Sequence, residues 1–222
     1  MTVVARMADF RCGGEEIRKS SVQLAIVHIP QEDSDVSCVA LAQEVLKLCW
    51  RVVKKGGVCV VVQHDHKKIG STPRHLLIYQ VAMDIGFQFY EHKIWYRQER
   101  SLYRKTFGNI SIYAKGKPKR PSASCFYHRD VWHLPDSMKR GWFTNAFPEE
   151  IPKWLIEAFT SPNDIVFDPF VGTGTTLRAA YSLGRHAVGY DIEEKHREFW
   201  DENWEYAKNW PTLLKDTFDA KC

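Results

Sequence analysis

Hydrophobic and polar positions along this chain predict strands and helices in alternation. Val22–Val27 (VQLAIV) is a short apolar run suited to a buried strand. From Val36 to Lys54, apolar residues recur at Val39, Ala42, Val45, Leu46, Cys49, Val52 and Val53. That spacing predicts a long amphipathic helix, ended by Gly56-Gly57. Val58–Val62 (VCVVV) is the clearest strand, and Pro73–Ile85 reads as a second helix, opened by Ser71-Thr72-Pro73 and closed by Gly86. Phe87–Tyr96 and Ile110–Ala114 alternate as strands, joined by the basic segment Arg97–Asn109. Segment 116–146 is rich in Pro, Ser and aromatics and reads as irregular. Beyond it, the pattern predicts a helix over Pro148–Phe159, a strand over Asp164–Phe167 and a helix over Thr175–Leu183. His186–Tyr190 follows as a strand, and Glu193–Asn209 as a long polar helix. Strands alternating with helices predict a parallel or mixed sheet covered on both faces, hence the doubly wound α/β class.

Composition narrows this picture. At 222 residues, 44% hydrophobic and 26% charged, the chain is expected to fold as one globular domain over 1–222. No apolar run approaches the roughly 18–20 residues that span a bilayer, and Met1–Arg18 lacks the apolar stretch of a secretory signal. A cytoplasmic location is the default expectation. The six cysteines are scattered with no Cys-x-x-Cys pair, which argues against a zinc or redox motif. Cys38, Cys49 and Cys59 sit among apolar residues and read as small buried hydrophobes. A net charge of +4 is compatible with a nucleic-acid partner, and the distribution says more. Basic residues gather at 93–105 and 115–120, while acidic ones concentrate near the C-terminus.

The chemistry-bearing stretch is Ile165–Ala180, IVFDPFVGTGTTLRAA. A strand runs into a Gly-rich turn and straight into a helix. Gly172 and Gly174 let the backbone turn sharply and approach a ligand closely. The helix start at Thr175-Thr176 offers unpaired N–H groups. About 20 residues on, a second strand ends in Gly189-Tyr190-Asp191, with a carboxylate placed to bind ribose hydroxyls. A nicotinamide dinucleotide could use such an arrangement. However, Leu177 replaces the third glycine of that fingerprint, and Asp168-Pro169-Phe170 favours a ligand with no pyrophosphate to cradle.

These residues closely resemble the cofactor half of the DNA amino-methyltransferases, which methylate adenine N6 or cytosine N4. The match covers Asp168–Thr176, then Ala179-Ala180, Leu183-Gly184-Arg185 and Gly189-Tyr190-Asp191-Ile192. Phe147-Pro148-Glu149-Glu150 resembles the family's F-P-E-E-L segment, and Asp130-Val131-Trp132 a D-V-W that often precedes it. Lys93-Ile94-Trp95-Tyr96 and Ile112-Tyr113-Ala114-Lys115-Gly116 resemble its paired strands I-W-x-K and I-x-x-x-K-G. Glu15–Val27 resembles its opening segment. The likeness spans nearly the whole chain, in the permuted order with the target-amine half first. It implies S-adenosylmethionine as cofactor, held by Phe147, Asp168, Phe170, Gly172, Gly174, Thr175, Thr176 and Asp191.

One motif departs from the family. After the first strand, the resemblance calls for Asp/Asn/Ser-Pro-Pro-Tyr/Phe/Trp. There, a side-chain oxygen and a proline carbonyl accept the amine's hydrogens while the aromatic stacks on the extruded base. This chain has His28-Ile29-Pro30-Gln31. Three readings stay open. His28 accepts from the amine, with Pro30 and Gln31 at the base and another aromatic stacking; or the site takes a different acceptor; or transfer is lost and a binding module or partner subunit remains.

The interval Gly116–Ala146 is too short for an elaborate sequence-reading domain. Arg97, Arg100, Arg104, Lys105, Lys117, Lys119 and Arg120 are candidates for neutralising phosphates within a compact recognition region over 97–146. Interleaved aromatics suit an unstacked or single-stranded nucleic acid, and the resemblance points to DNA rather than RNA. It also leaves room for a homodimer or a companion methyltransferase subunit. His64-Asp65-His66 follows the VCVVV strand and reads as a polar loop, since further metal ligands are lacking.

Overall fold

The computed structural model describes residues 1–30, 32–65, 72–96, 107–118, 129–134 and 148–200. Eight strands form one mixed sheet: β1 Val3–Met7, β2 Val22–His28, β3 Val53–Gln63, β4 Gln88–Tyr96, β5 Phe107–Ala114, β6 Val131–His133, β7 Ile165–Asp168 and β8 His186–Asp191. Their spatial order is β1-β8-β7-β2-β3-β5-β4-β6. The first five in that order are parallel, β5 runs antiparallel to β3 and β4, and β6 pairs parallel to β4.

Among the described residues the helices are α1 Phe10–Gly13, α2 Asp35–Val52, α3 Arg74–Ile85, α4 Glu150–Phe159 and α5 Thr175–Ser182. On one face, Leu24, Ile26, Val60 and Val62 pack against Leu155 of α4 and Leu177 of α5. On the other, Ala25, Val27, Cys59 and Val61 meet Cys49 of α2 and Ile78 of α3. Strand alternation sends successive residues of VCVVV to opposite faces, and both faces are covered, so every position is apolar. Cys38, Cys49 and Cys59 are fully buried, as expected of small hydrophobes. Among the described residues, no helix is long and apolar enough to cross a membrane.

The sequence misplaced the boundary between α2 and β3, and started β5 three residues late, at Ile110 rather than Phe107. The α2 helix opens with a capping box between Ser34 and Ser37 and ends at Val52, before Gly56-Gly57. The glycines lie inside β3, where pairing jumps from Val22↔Val53 to Leu24↔Val58. Five residues of β3 thus pass two of β2, and Gly56 bends this bulge with φ +81°. What ends α2 is Lys115, whose ammonium donates to the carbonyls of Trp50 and Val53 and lies 4.8 Å from the Trp50 ring centroid. Lys93 is likewise structural. It is buried, and its Nζ pairs with Asp130 at 2.8 Å. The separately recognised Lys93–Tyr96 and Asp130–Trp132 motifs are therefore neighbours, with Trp95 beside Trp132.

Three elements were not foreseen. β1 is a short edge strand carrying Arg6, α1 is one turn, and β6 lies in the stretch read as irregular. At the other end, the expected helix over Glu193–Asn209 is a 3-10 turn over Glu194–Phe199. Its remainder beyond Trp200 lies outside the described residues.

Candidate active site

Five parallel strands deliver their carboxyl ends to one edge of the sheet. From β7 the chain moves through α5 to β8 on one side; from β2 it moves through α2 to β3 on the other. The crevice between β7 and β2 is therefore the switch point where α/β sheets bind ligands. Leu24 pairs with Val166 and Ala25 with Phe167, so His28 and Asp168 end adjacent strands.

On the β7 side, Gly172 and Gly174 adopt φ +55° and +83°, a region costly for any side chain. Gly174 sits at the N-cap of α5, whose first residues Thr175 and Thr176 turn inward and are buried. Asp168 is buried and accepts the Phe170 N–H at 2.9 Å. Burial pushes its carboxyl up to about 7 against the pull of the Thr176 hydroxyl and the Phe170 N–H, while Asp191 adds to the rise. Asp191 at the end of β8 accepts Gly172 N–H at 2.6 Å and Glu193 N–H at 2.8 Å. His196 Nδ1 approaches the same carboxylate at 3.0 Å, and Trp200 donates its indole N–H to the Gly172 carbonyl at 2.9 Å. The 194–200 segment thus straps the loop, a role that its polar sequence did not signal. Another contributor lay hidden behind β1: Ala8 donates to the Asp191 carbonyl at 2.9 Å, and Phe10 meets Phe170 edge-on at 5.3 Å.

On the β2 side, His28 is half-buried and Pro30 exposed, with Ile29 buried between them. The His28 ring lies 6.3 Å from His64, and His64 lies 5.6 Å from Trp95. His64 and Asp65, read from sequence as a polar loop, are built into the edge and part to opposite faces. Asp65 takes three hydrogen bonds, from the His75 backbone at 3.1 Å, the His75 ring at 2.7 Å and the Asn109 amide at 3.0 Å. This ties the start of α3 to β5. Nearby, burial and the adjacent His75 lower the pKa of His92. Among the described residues no group of His, Cys, Asp and Glu is arranged to hold a metal.

Of the basic candidates, Lys117 is described and exposed. It follows β5, whose Ala114 pairs with Val58 at the start of the parallel run of β3. Lys117 therefore stands at the amino edge, the length of β3 away from His28, and the structure does not bring it to the site. Gln31, Arg97, Arg100, Arg104, Lys105, Lys119, Arg120 and Phe147 lie outside the described residues. Tyr96 and Phe107, which bracket segment 97–106, pair with each other at the carboxyl edge near His64.

Residues 28–202 match the protein family described as DNA methylase, of the N6/N4 type. The Type II methyltransferase M.MjaI of Methanocaldococcus jannaschii is 29% identical over 194 residues, covering 69% of this chain. The chain spans 63% of that relative's length. Among solved structures, the cytosine-N4-specific PvuII DNA methyltransferase superposes with a TM-score of 0.77 at 16% identity, over 91% of this chain and 88% of that one. A putative DNA modification methylase of Thermus thermophilus, in complex with S-adenosyl-L-methionine, gives 0.73 at 22% identity, over 88% and 90%.

Proposed function

The chain belongs to the DNA methylase family, and from that premise we propose that it is an S-adenosylmethionine-dependent methyltransferase acting on an exocyclic amine of a DNA base, adenine N6 or cytosine N4. The observation that carries this reading is the adjacency of two edges. The Gly-rich loop after β7 lies beside His28 at the end of β2, on one rim of the sheet.

The residues fit the cofactor. Asp191 is fixed by two backbone N–H groups and would accept ribose hydroxyls. Gly172 and Gly174 keep the loop free of side chains where a ligand must lie close. Asp168 is a buried carboxylate whose proton affinity burial has raised. A positively charged ligand beside it would restore the ionised form, and S-adenosylmethionine carries both an ammonium and a sulfonium. When bound, the cofactor supplies an electrophilic methyl group to an attacking nitrogen. His28 would accept a hydrogen of the target amine, drawing its lone pair out of conjugation with the ring. Pro30 and Gln31 would border the base. Tyr96 and Phe107, which flank residues 97–106 in the sequence, lie at this same rim, and this supports Arg97, Arg100, Arg104 and Lys105 as phosphate contacts on the DNA.

Labelled methyl transfer to unmethylated DNA tests the activity, and calorimetry with S-adenosylmethionine tests the site. Incorporation into adenine or cytosine supports the reading. Binding without incorporation across varied DNA would favour the second reading, a binding module that keeps the fold and acts beside another subunit. The replacement of the acceptor, first proline and aromatic by His28, Ile29 and Gln31 is what favours that alternative. Absence of cofactor binding would overturn the enzyme reading and the cofactor assignment together.

A further inference from the structure

An extruded base needs a flat face to lie against, and position 31 carries Gln rather than a ring. We propose that His64 supplies that face: the stacking surface has moved from the strand that bears His28 to the residue just past the neighbouring strand β3. This inference rests on the methyltransferase reading above.

Register carries the argument. His28 pairs with Val62, so His64, the first residue past β3 and two beyond Val62, continues the alternation onto the face of His28. The two rings stand 6.3 Å apart at 81°. Beyond His64, the next strand presents Gly108. A Cβ there would lie 2.8 Å from His64 Cε1 and 3.2 Å from the Trp95 ring, so the missing side chain is what lets these rings meet. Trp95 then backs His64 at 5.6 Å, and its indole N–H is tied to the Leu134 carbonyl at 3.3 Å. His64 Nδ1 lies 3.0 Å from the Phe107 carbonyl, which makes Nδ1 the protonated nitrogen and fixes the ring plane. The imidazole is thus clamped by a carbonyl and an indole, while remaining partly exposed at the rim.

Other described rings at this edge do not serve. Tyr96 and Phe107 are neighbours of Trp95 and Gly108 in sequence, so strand alternation points them to the opposite face. Trp95 itself is fully buried. A histidine ring is among the side chains on which unstacked bases lie.

The test is a substitution series in the full chain: His64→Phe keeps a planar ring, His64→Gln keeps polarity, and His64→Ala keeps neither. Two probes are used, denatured unmethylated plasmid DNA for methyl transfer and a single-stranded oligonucleotide carrying 2-aminopurine for stacking fluorescence. His64→Phe is expected to stay within about threefold of wild type in kcat/KM, whereas His64→Gln and His64→Ala each lose roughly 10–100-fold. Quenching of 2-aminopurine should follow the same order, with S-adenosylmethionine affinity by calorimetry unchanged throughout. Gln retaining activity while Phe loses it would overturn stacking in favour of hydrogen bonding. An Ala variant equal to wild type in both assays would overturn any base contact. If wild type transfers no methyl to DNA, the functional reading falls. The fluorescence series still decides this one: Phe quenching more than Ala supports stacking, and equal quenching overturns it.

Discussion

The two halves of the rim are built in opposite ways. On the β7 side, strand, glycine turn and helix follow one another within Ile165–Ala180, and Asp191 closes the arrangement from the adjacent strand. The loop itself is one short stretch of chain, braced from outside by Asp191, His196 and Trp200. On the β2 side, the groups come from three separated stretches: His28 from β2, His64 from just past the end of β3 and Trp95 from β4, with Gly108 of β5 leaving the space between the last two. The first side is held by backbone conformation and short hydrogen bonds, the second by rings meeting across a sheet. Substitution should therefore separate them, with cofactor affinity answering to one side and transfer to the other.

The largest effect is expected at Asp191. Asp191→Ala strips the Gly172 and Glu193 N–H groups of their acceptor and would remove the ribose contact proposed for this carboxylate. Cofactor affinity by calorimetry should fall about 100-fold or more, the scale of losing charge-assisted hydrogen bonds in a buried site. A fall under threefold would mean that the two sides do not divide the labour as described.

Next comes His28→Ala, which should lower the methyl-transfer rate by roughly 10–100-fold and leave the cofactor dissociation constant within about twofold. Loss of cofactor binding in this variant would break the comparison from the other side. Unchanged transfer would show that the amine is received elsewhere.

Asp168 ties the first side to pH. Its folded-state pKa is raised to about 7, so the folded protein holds this proton more tightly than the unfolded chain. That contribution is fully present below the ordinary carboxylate range and is lost as pH rises towards 7. Asp168→Asn should accordingly stabilise the cofactor-free protein at pH 8, by an amount on the order of 2–4 kcal/mol, in thermal melts. The same substitution should weaken cofactor binding. In the unsubstituted protein, affinity should fall as pH drops below about 7, because binding a cation there requires the carboxylate. Melts showing Asp168→Asn destabilising at pH 8 would contradict the burial argument.

The smallest effect is expected at Lys117, at the far edge of the sheet. Lys117→Ala should leave DNA affinity, and its salt dependence, unchanged within error. A salt slope reduced by about one would instead place DNA across that edge.

Much of this fold was legible in the chain. The α2 pattern, the helix closed by Gly86 and the Gly-rich turn all rest on local rules of periodicity and backbone freedom, and they were read nearly at their true bounds, whereas Val58–Val62 marked only the inner half of β3. Gly56-Gly57 misled because a glycine pair ends a helix or bends a strand equally well, and the choice was made by Lys115 reaching the last turn of α2 from a distant strand. β6 was missed because three residues gain strand character only through pairing with β4. Lys93 and Lys115 counted towards a basic surface, yet each is spent on a structural contact: an ion pair for Lys93, the end of a helix for Lys115.

The sequence by itself determined the Gly-rich turn after β7, because a positive-φ turn between a buried strand and a helix needs glycines at fixed spacing, and such needs are written locally. It also placed His28-Ile29-Pro30-Gln31 directly after the first apolar strand. Only the tertiary structure decided what stands around that stretch. Register between β2, β3, β5 and β4 brings His28, His64 and Trp95 into one row across Gly108, and no local pattern encodes which residues of four strands share a face and a level.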